Sequence, residues 1–138
     1  MGIHSGLLRL TTDGGGEIVD LTAGVASVVR TASTPAGVVS VFVQGTTAAV
    51  TTMEYEPGAV IDLRRALERI APADGESEHN RRNADDNGHA HVRAAIVGPG
   101  VSVPLVGGEL ALGRWQQIVL IDLDTRPRER TVLVHVVF

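Results

Sequence analysis

The thirteen residues from His79 to His91 hold three of the chain's five histidines and the adjacent carboxylates Asp85 and Asp86, with asparagines between them. The rest of the sequence is built largely of Val, Leu, Ala and Gly. Packing an apolar core needs no such mixture. Imidazoles and carboxylates at that density can coordinate a metal, bind an anion or exchange protons, so chemistry is expected here.

The local conformation decides how many of these groups can act together. On a strand, His89 and His91 would share one face; on a helix, positions two apart diverge by about 200°. A helix starting near Gly88 and running through Val97 is predicted, ended by Gly98-Pro99-Gly100. It leaves one of the two histidines to join His79 from the preceding loop, with Asp85 or Asp86 as a third ligand. Three protein ligands and one open position are what a catalytic zinc requires. The simpler reading is a solvated loop in which Asp86 or Asn87 caps the helix.

Four further groups sit at element ends. Glu54 follows a core strand, where a carboxylate can serve as base or ligand, whereas Glu56 reads as an ordinary loop carboxylate. Thr46 and Thr47 offer hydroxyls and free backbone amides to an anion, or simply form a Thr-rich bend. Asp62 lies on the polar side of a helix and favours its N-terminus through the dipole. Trp115, the single tryptophan, reads as core or subunit interface.

The elements that must position these residues follow from pattern. Leu7–Thr12 and Glu17–Leu21 flank Asp13-Gly14-Gly15-Gly16 and read as a hairpin. Thr22 is placed to cap a helix over Ala23–Ala32. Val38–Val43, continuously apolar, reads as a strand buried on both faces, and Ala48–Met53 as a second. Val60, Leu63, Leu67 and Ile70 recur at helical spacing over Ala59–Ile70. Residues 73–87 read as a polar loop. Strands follow over Val101–Val106, Leu110–Leu123 and Arg130–Phe138, with Gly107-Gly108 as a hairpin turn. The order is ββαββα, a loop with a short helix, then βββ, in one domain over residues 1–138.

Composition narrows the classes. Aromatics are 3% against 43% hydrophobic, so the core is aliphatic and suits a Val-rich sheet. A net charge of -4 without a basic patch argues against nucleic acid. No apolar run reaches the ~18 residues of a membrane span and no basic-then-apolar leader opens the sequence, so a cytoplasmic protein is expected. With zero cysteines there are no disulfides and no thiolate ligands.

Ser102-Val103-Pro104, Gly107 and then Leu112-Gly113-Arg114-Trp115-Gln116 resemble the signature of the YjbQ-like family, the secondary thiamine-phosphate synthase enzymes. Glu78-His79, Ala84-Asp85-Asp86-Asn87, Ala90-His91-Val92-Arg93 and Thr46-Thr47-Ala48-Ala49-Val50-Thr51 with Glu54 are similar to further segments of that family, so the likeness spans most of the chain. It implies an α+β fold, a two-sheet β-sandwich with helices outside, a homotrimer, and a pocket centred on His79, Asp86 and His91. Within that picture His79, Asp86, His91 and Glu54 are the catalytic set, and Thr46, Thr47 and Arg93 hold a phosphorylated small molecule or anion. Zinc or magnesium would lie on His79, His91 and Asp86, and the implied activity is a low-efficiency thiamine-phosphate synthase. The departures are Gly45 where the family has His, Arg93 for Lys, Ser77 for Tyr and Met53 for Asn. Loss of the histidine at Gly45 gives the alternative expectation, a non-catalytic trimeric binding or structural module.

Overall fold

The computed structural model describes residues 1–138. Its strands are β1 (Ile3–Thr12), β2 (Glu17–Asp20), β3 (Ala36–Val43), β4 (Ala48–Glu54), β5 (Gly100–Val106), β6 (Glu109–Leu110), β7 (Gln116–Asp122) and β8 (Arg128–Val137). Its helices are α1 (Thr22–Ala32), α2 (Pro57–Ile70), α3 (Glu78–Asn83) and α4 (Gly88–Val97). All pairings are antiparallel, in a five-stranded sheet of order β1-β8-β3-β5-β6 and a three-stranded sheet of order β2-β7-β4. No helix is long and apolar enough to cross a membrane.

Two apolar layers hold these sheets. Val39, Val41 and Val43 of β3 and Val132, Val134 and Val136 of β8 meet Val50, Ile118 and Leu120 of the small sheet, with Val25 and Val29 of α1 closing one side. The other face of the small sheet, through Ala49, Val119 and Ile121, packs on Leu67 of α2 and on Ala90 and Ala94 of α4. Strand β7 is therefore buried on both faces, each of its aliphatic side chains contributing ~1.5–3 kcal/mol. The α+β sandwich with outer helices is as expected.

Several expectations change. The Gly14–Gly16 turn does not close a hairpin: β1 pairs with β8 and β2 with β7. It carries the chain from one sheet to the other, with Gly15 N donating to Asp124 O (2.6 Å) and Gly16 N to Asp122 O (2.7 Å). Strand β3 is not buried on both faces, because no layer covers the outside of the large sheet, and Val38 and Phe42 stay exposed. The run Leu110–Leu123 is not one strand; around Gly113-Arg114-Trp115 it leaves the large sheet and enters the small one. Trp115 is exposed in the chain, with the Arg114 guanidinium 4.8 Å from its ring. The stretch 73–87 contains α3, for which Ser77 is the N-cap, accepting from Asn80 N at 3.2 Å. Thr22 caps no helix; its hydroxyl accepts from Ile118 N. Glu56 has more than a loop role, accepting from Gly58 N and Ala59 N as the N-cap of α2.

Candidate functional site

The contact between α3 and α4 positions the histidines. Asn80 Oδ1 accepts Gly88 N (2.9 Å), tying the first turn of α4 to α3. Gly88 lies so close to the α3 cap that a Cβ there would overlap the Ser77 hydroxyl. The approach brings the rings of His79 and His91 to 4.4 Å between centroids, at 44°. Asn80 Oδ1 also faces His79 Nδ1 (3.3 Å). That oxygen only accepts, so His79 Nδ1 carries the hydrogen, and in the neutral ring Nε2 is left as an acceptor. His91 makes no side-chain hydrogen bond. Both rings, with His89, line a cleft of about 420 Å³ between the end of α2, the loop before α3 and the start of α4. Burial, reinforced by the nearby Arg93 cation, pushes the His89 imidazole below its ordinary pKa, and its Nδ1 is buried without a partner.

The acids expected beside these rings face elsewhere. Asp86 Oδ1 accepts from Thr125 Oγ1 (3.0 Å) and Arg126 Nη2 (3.4 Å), and Asp85 Oδ1 from the same guanidinium (3.4 Å). Asn87 Nδ2 donates to Asp124 Oδ1 (3.3 Å). The Asp-Asp-Asn segment thus clamps the helices to the connection between β7 and β8. No three His, Asp or Glu side chains come together in a way that could hold a metal ion. The expected zinc or magnesium set of His79, His91 and Asp86 is therefore not assembled: two imidazoles meet without a third ligand.

The remaining expected residues also separate. Thr47 is buried, its hydroxyl donating to Asp124 Oδ2 (2.9 Å) and accepting from Arg130 Nη2 (2.8 Å), while Thr46 is exposed. Glu54 ends β4 at the opposite end from Thr47, about 23 Å away at strand rise, whereas Asp86 is held by Thr125, next to the Asp124 that binds Thr47, so Glu54 and Asp86 do not converge. Arg93 is turned from any ligand role: Nε (2.9 Å) and Nη2 (2.7 Å) donate to Ala71 O at the end of α2, and Nη2 also pairs with Glu68. At Gly45 a Cβ would stand 2.9 Å from Arg130 Nη1, so the arginine already occupies the approach to that position.

That arginine belongs to a network the sequence reading missed. Arg130 Nε donates to Asp122 Oδ2 (2.6 Å) and Nη2 to Asp122 Oδ1 (2.9 Å), and Thr12 Oγ1 donates to the same carboxylate. Arg128 Nε donates to Asp124 Oδ2 (2.8 Å). Burial alone would raise the pKa of Asp122. The fork from Arg130 and the hydrogen bonds from Thr12 and Asp124 N outweigh it and hold the carboxyl below its ordinary range. At Asp124 burial is likewise overcome, by Thr125 N, Thr47, Arg128 and Asn87, and the carboxyl sits far below its usual value. The available signal was register: Arg130 falls on the inward positions that Val132, Val134 and Val136 continue, and an inward arginine requires a buried acid.

A family model described as "UPF0047 protein YjbQ-like" matches residues 7–138. The chain is 32% identical over 136 residues to a UPF0047 protein of Methanothermobacter thermautotrophicus, covering 99% of this chain and 93% of that one. It is 37% identical over 115 residues to a UPF0047 protein of Mycobacterium tuberculosis, covering 83% and 84%. Among solved structures it is similar to a YbjQ-like protein of unknown function from Sulfolobus solfataricus, with TM-score 0.88, 28% identity and 98% of each chain covered. A hypothetical protein from Aeropyrum pernix superposes with TM-score 0.87 at 34% identity, over 94% of this chain and 95% of that one. These relatives overturn the expected activity. They are described only as UPF0047 proteins or as proteins of unknown function, and none of them supports thiamine-phosphate synthase activity in this chain.

Proposed function

The chain belongs to the UPF0047 YjbQ-like family, and on that footing we propose that it is a small-molecule-binding protein whose ligand lies in the histidine cleft between α3 and α4. The observation that carries this reading is the contact of the His79 and His91 rings at 4.4 Å. An acceptor at His79 Nε2 beside the unpartnered His91 ring suits a small polar molecule presenting an O–H or N–H donor to the first ring and a complementary group to the second. Glu76 and Glu78 line the cleft and share a single cation outside it, Arg81, at 3.8 and 3.0 Å, so the cleft has no excess of positive charge. Two carboxylates against one guanidinium favour a neutral, zwitterionic or cationic ligand over an anion.

Ring-nitrogen NMR tests the reading during titration with small hydroxylated and amino compounds. Hits should move His79 and His91 together and be lost in His91→Ala. Hits that leave both rings unmoved would defeat it.

The same reading has the chain self-associate as a homotrimer through the uncovered face of the large sheet. Register supports this, since Ile3, Val137, Val38 and Pro104 form one row across four strands and Leu7, Leu133 and Phe42 another. Between them runs a row of Ser5, His135, Ser40 and Ser102 without a formal cluster of charge. An exposed apolar surface of that kind marks an interaction face. Sedimentation velocity should give three chains, and Phe42→Asp should lower the mass to one. A monomeric wild type would reject the assembly.

A further inference from the structure

A second cleft, of about 240 Å³, opens between the Gly14–Gly16 turn and α2. Arg64, Arg65 and Arg93 line it against a single acid, Glu68, over a floor of Leu67, Ile121 and Leu123. Glu68 is already paired with Arg93. Arg64 has only a carbonyl partner, Gly15 O at 3.2 Å. Arg65 takes part in no ion pair or hydrogen bond, so two guanidinium charges beside one apolar floor stand unneutralised. Gly15 and Gly16 form the opposite rim. No side chain stands there between the arginines and an incoming group: a Cβ on Gly15 would meet nothing within 4 Å, and one on Gly16 only the Arg64 side chain.

We infer that this arginine cleft is a binding site for the phosphate group of a small phosphate monoester. Guanidinium groups present planar forks of N–H donors that match phosphate oxygens, and two of them balance a dianion where one would suffice for a carboxylate. The floor gives the ester's organic part an apolar contact that inorganic phosphate cannot use. The volume lies below the ~300–1,000 Å³ usual for drug-sized ligands, which restricts the ester to a small one. The Glu68–Arg93 pair also borders the residues of the histidine cleft, because Glu68 Oε1 accepts Ala73 N (3.0 Å) and Arg93 holds Ala71 O. The two clefts therefore share a wall while differing in charge.

Calorimetric titration of the full chain with phenyl phosphate, inorganic phosphate and benzoate at low salt tests the inference. Phenyl phosphate should bind saturably, one per chain, and more tightly than either of the other two. Arg64→Ala and Arg65→Ala should each weaken it about tenfold, as for loss of one charge-assisted hydrogen bond. Both side chains are exposed, so these variants should fold, which circular dichroism would verify. Arg69→Ala, on the same helix but outside the cleft, should bind as wild type. Absence of saturable binding would overturn the site, as would equal affinity for benzoate or affinity unmoved by the two arginine variants. A phosphate that shifts the His79 and His91 rings would move the ligand to the other cleft and equally overturn it.

Discussion

Replacing Arg130 with Leu should be among the most damaging single changes in this chain. Arg130 is 6% exposed and Asp122 0%, so neither charge recovers full hydration when its partner goes. The substitution removes two hydrogen bonds to Asp122 and one to Thr47, at 2.6, 2.9 and 2.8 Å. Asp122 keeps only the Thr12 hydroxyl and Asp124 N. Stripping one partner from a buried pair costs ~3–5 kcal/mol, against a total stability of roughly 5–15 kcal/mol for a domain. For a chain of this size that lowers Tm by roughly 10–20 °C. Urea unfolding followed by circular dichroism measures it. The pH dependence adds a sign. In the wild type the folded pKa of Asp122 lies below its unfolded value, so its contribution is present above pH ~3.9 and is lost as pH falls through the depressed folded value. Without Arg130 the buried carboxyl takes up a proton at higher pH, so the gap between variant and wild type should be widest near neutrality and narrow on acidification. A variant within 1 kcal/mol of wild type, or a gap that does not change with pH, would refute the account of the network. Converting both partners, Arg130→Leu with Asp122→Leu, should recover much of the loss, because the unpaired charge is gone.

Three other outcomes are expected. Gly88→Ala should destabilise the fold by ~1–3 kcal/mol through overpacking against the Ser77 cap, and nuclear Overhauser contacts between the His79 and His91 rings should weaken with it. Ala84 ends α3 at φ 49°, a conformation that disfavours a side chain, so Ala84→Gly should raise stability by ~0.5–1 kcal/mol in thermal melts. Proton NMR of the His89 ring should show it titrating below the ordinary histidine range; in Glu68→Gln it should move lower still, since Glu68 opposes the effect of burial and Arg93.

Elements governed by local rules were legible in the sequence. The bounds of α4 follow from Gly88 and Gly98, and α2 is legible in its apolar spacing over Ala59–Ile70, although the helix begins two residues earlier, at Pro57. What was not legible depends on neighbours far along the chain. Val38–Val43 and Ile118–Leu123 read alike, yet only the second lies between two layers; the first borders an uncovered face. The Gly14–Gly16 turn has hairpin composition, but the partners of the strands it joins come from residues about a hundred or more positions later. At the site, His79 was expected to reach the α4 histidines from a preceding loop; the rings of His79 and His91 do meet, but His79 is carried by helix α3. The orientation of Asp85, Asp86 and Asn87 was not legible, since Asp124, Thr125 and Arg126 are separated from them by α4 and the three strands β5, β6 and β7. Arg93 was misjudged for the same reason: its acceptor, Ala71 O, is fixed by the end of another helix.

The position of β8 has a consequence for biosynthesis. That strand is hydrogen-bonded to both β1 and β3, yet it is translated after either of them. Until it emerges from the ribosome, β1 has no hydrogen-bonding neighbour, and β3 has one on a single side only. A nascent chain in this condition exposes Val-rich edges open to pairing with other chains, and closure spans almost the full contour of the polypeptide, a topology associated with slow folding. Early termination anywhere before Arg128 would thus remove the strand that joins β1 to the rest of its sheet, and aggregation rather than a smaller folded product is the expected fate.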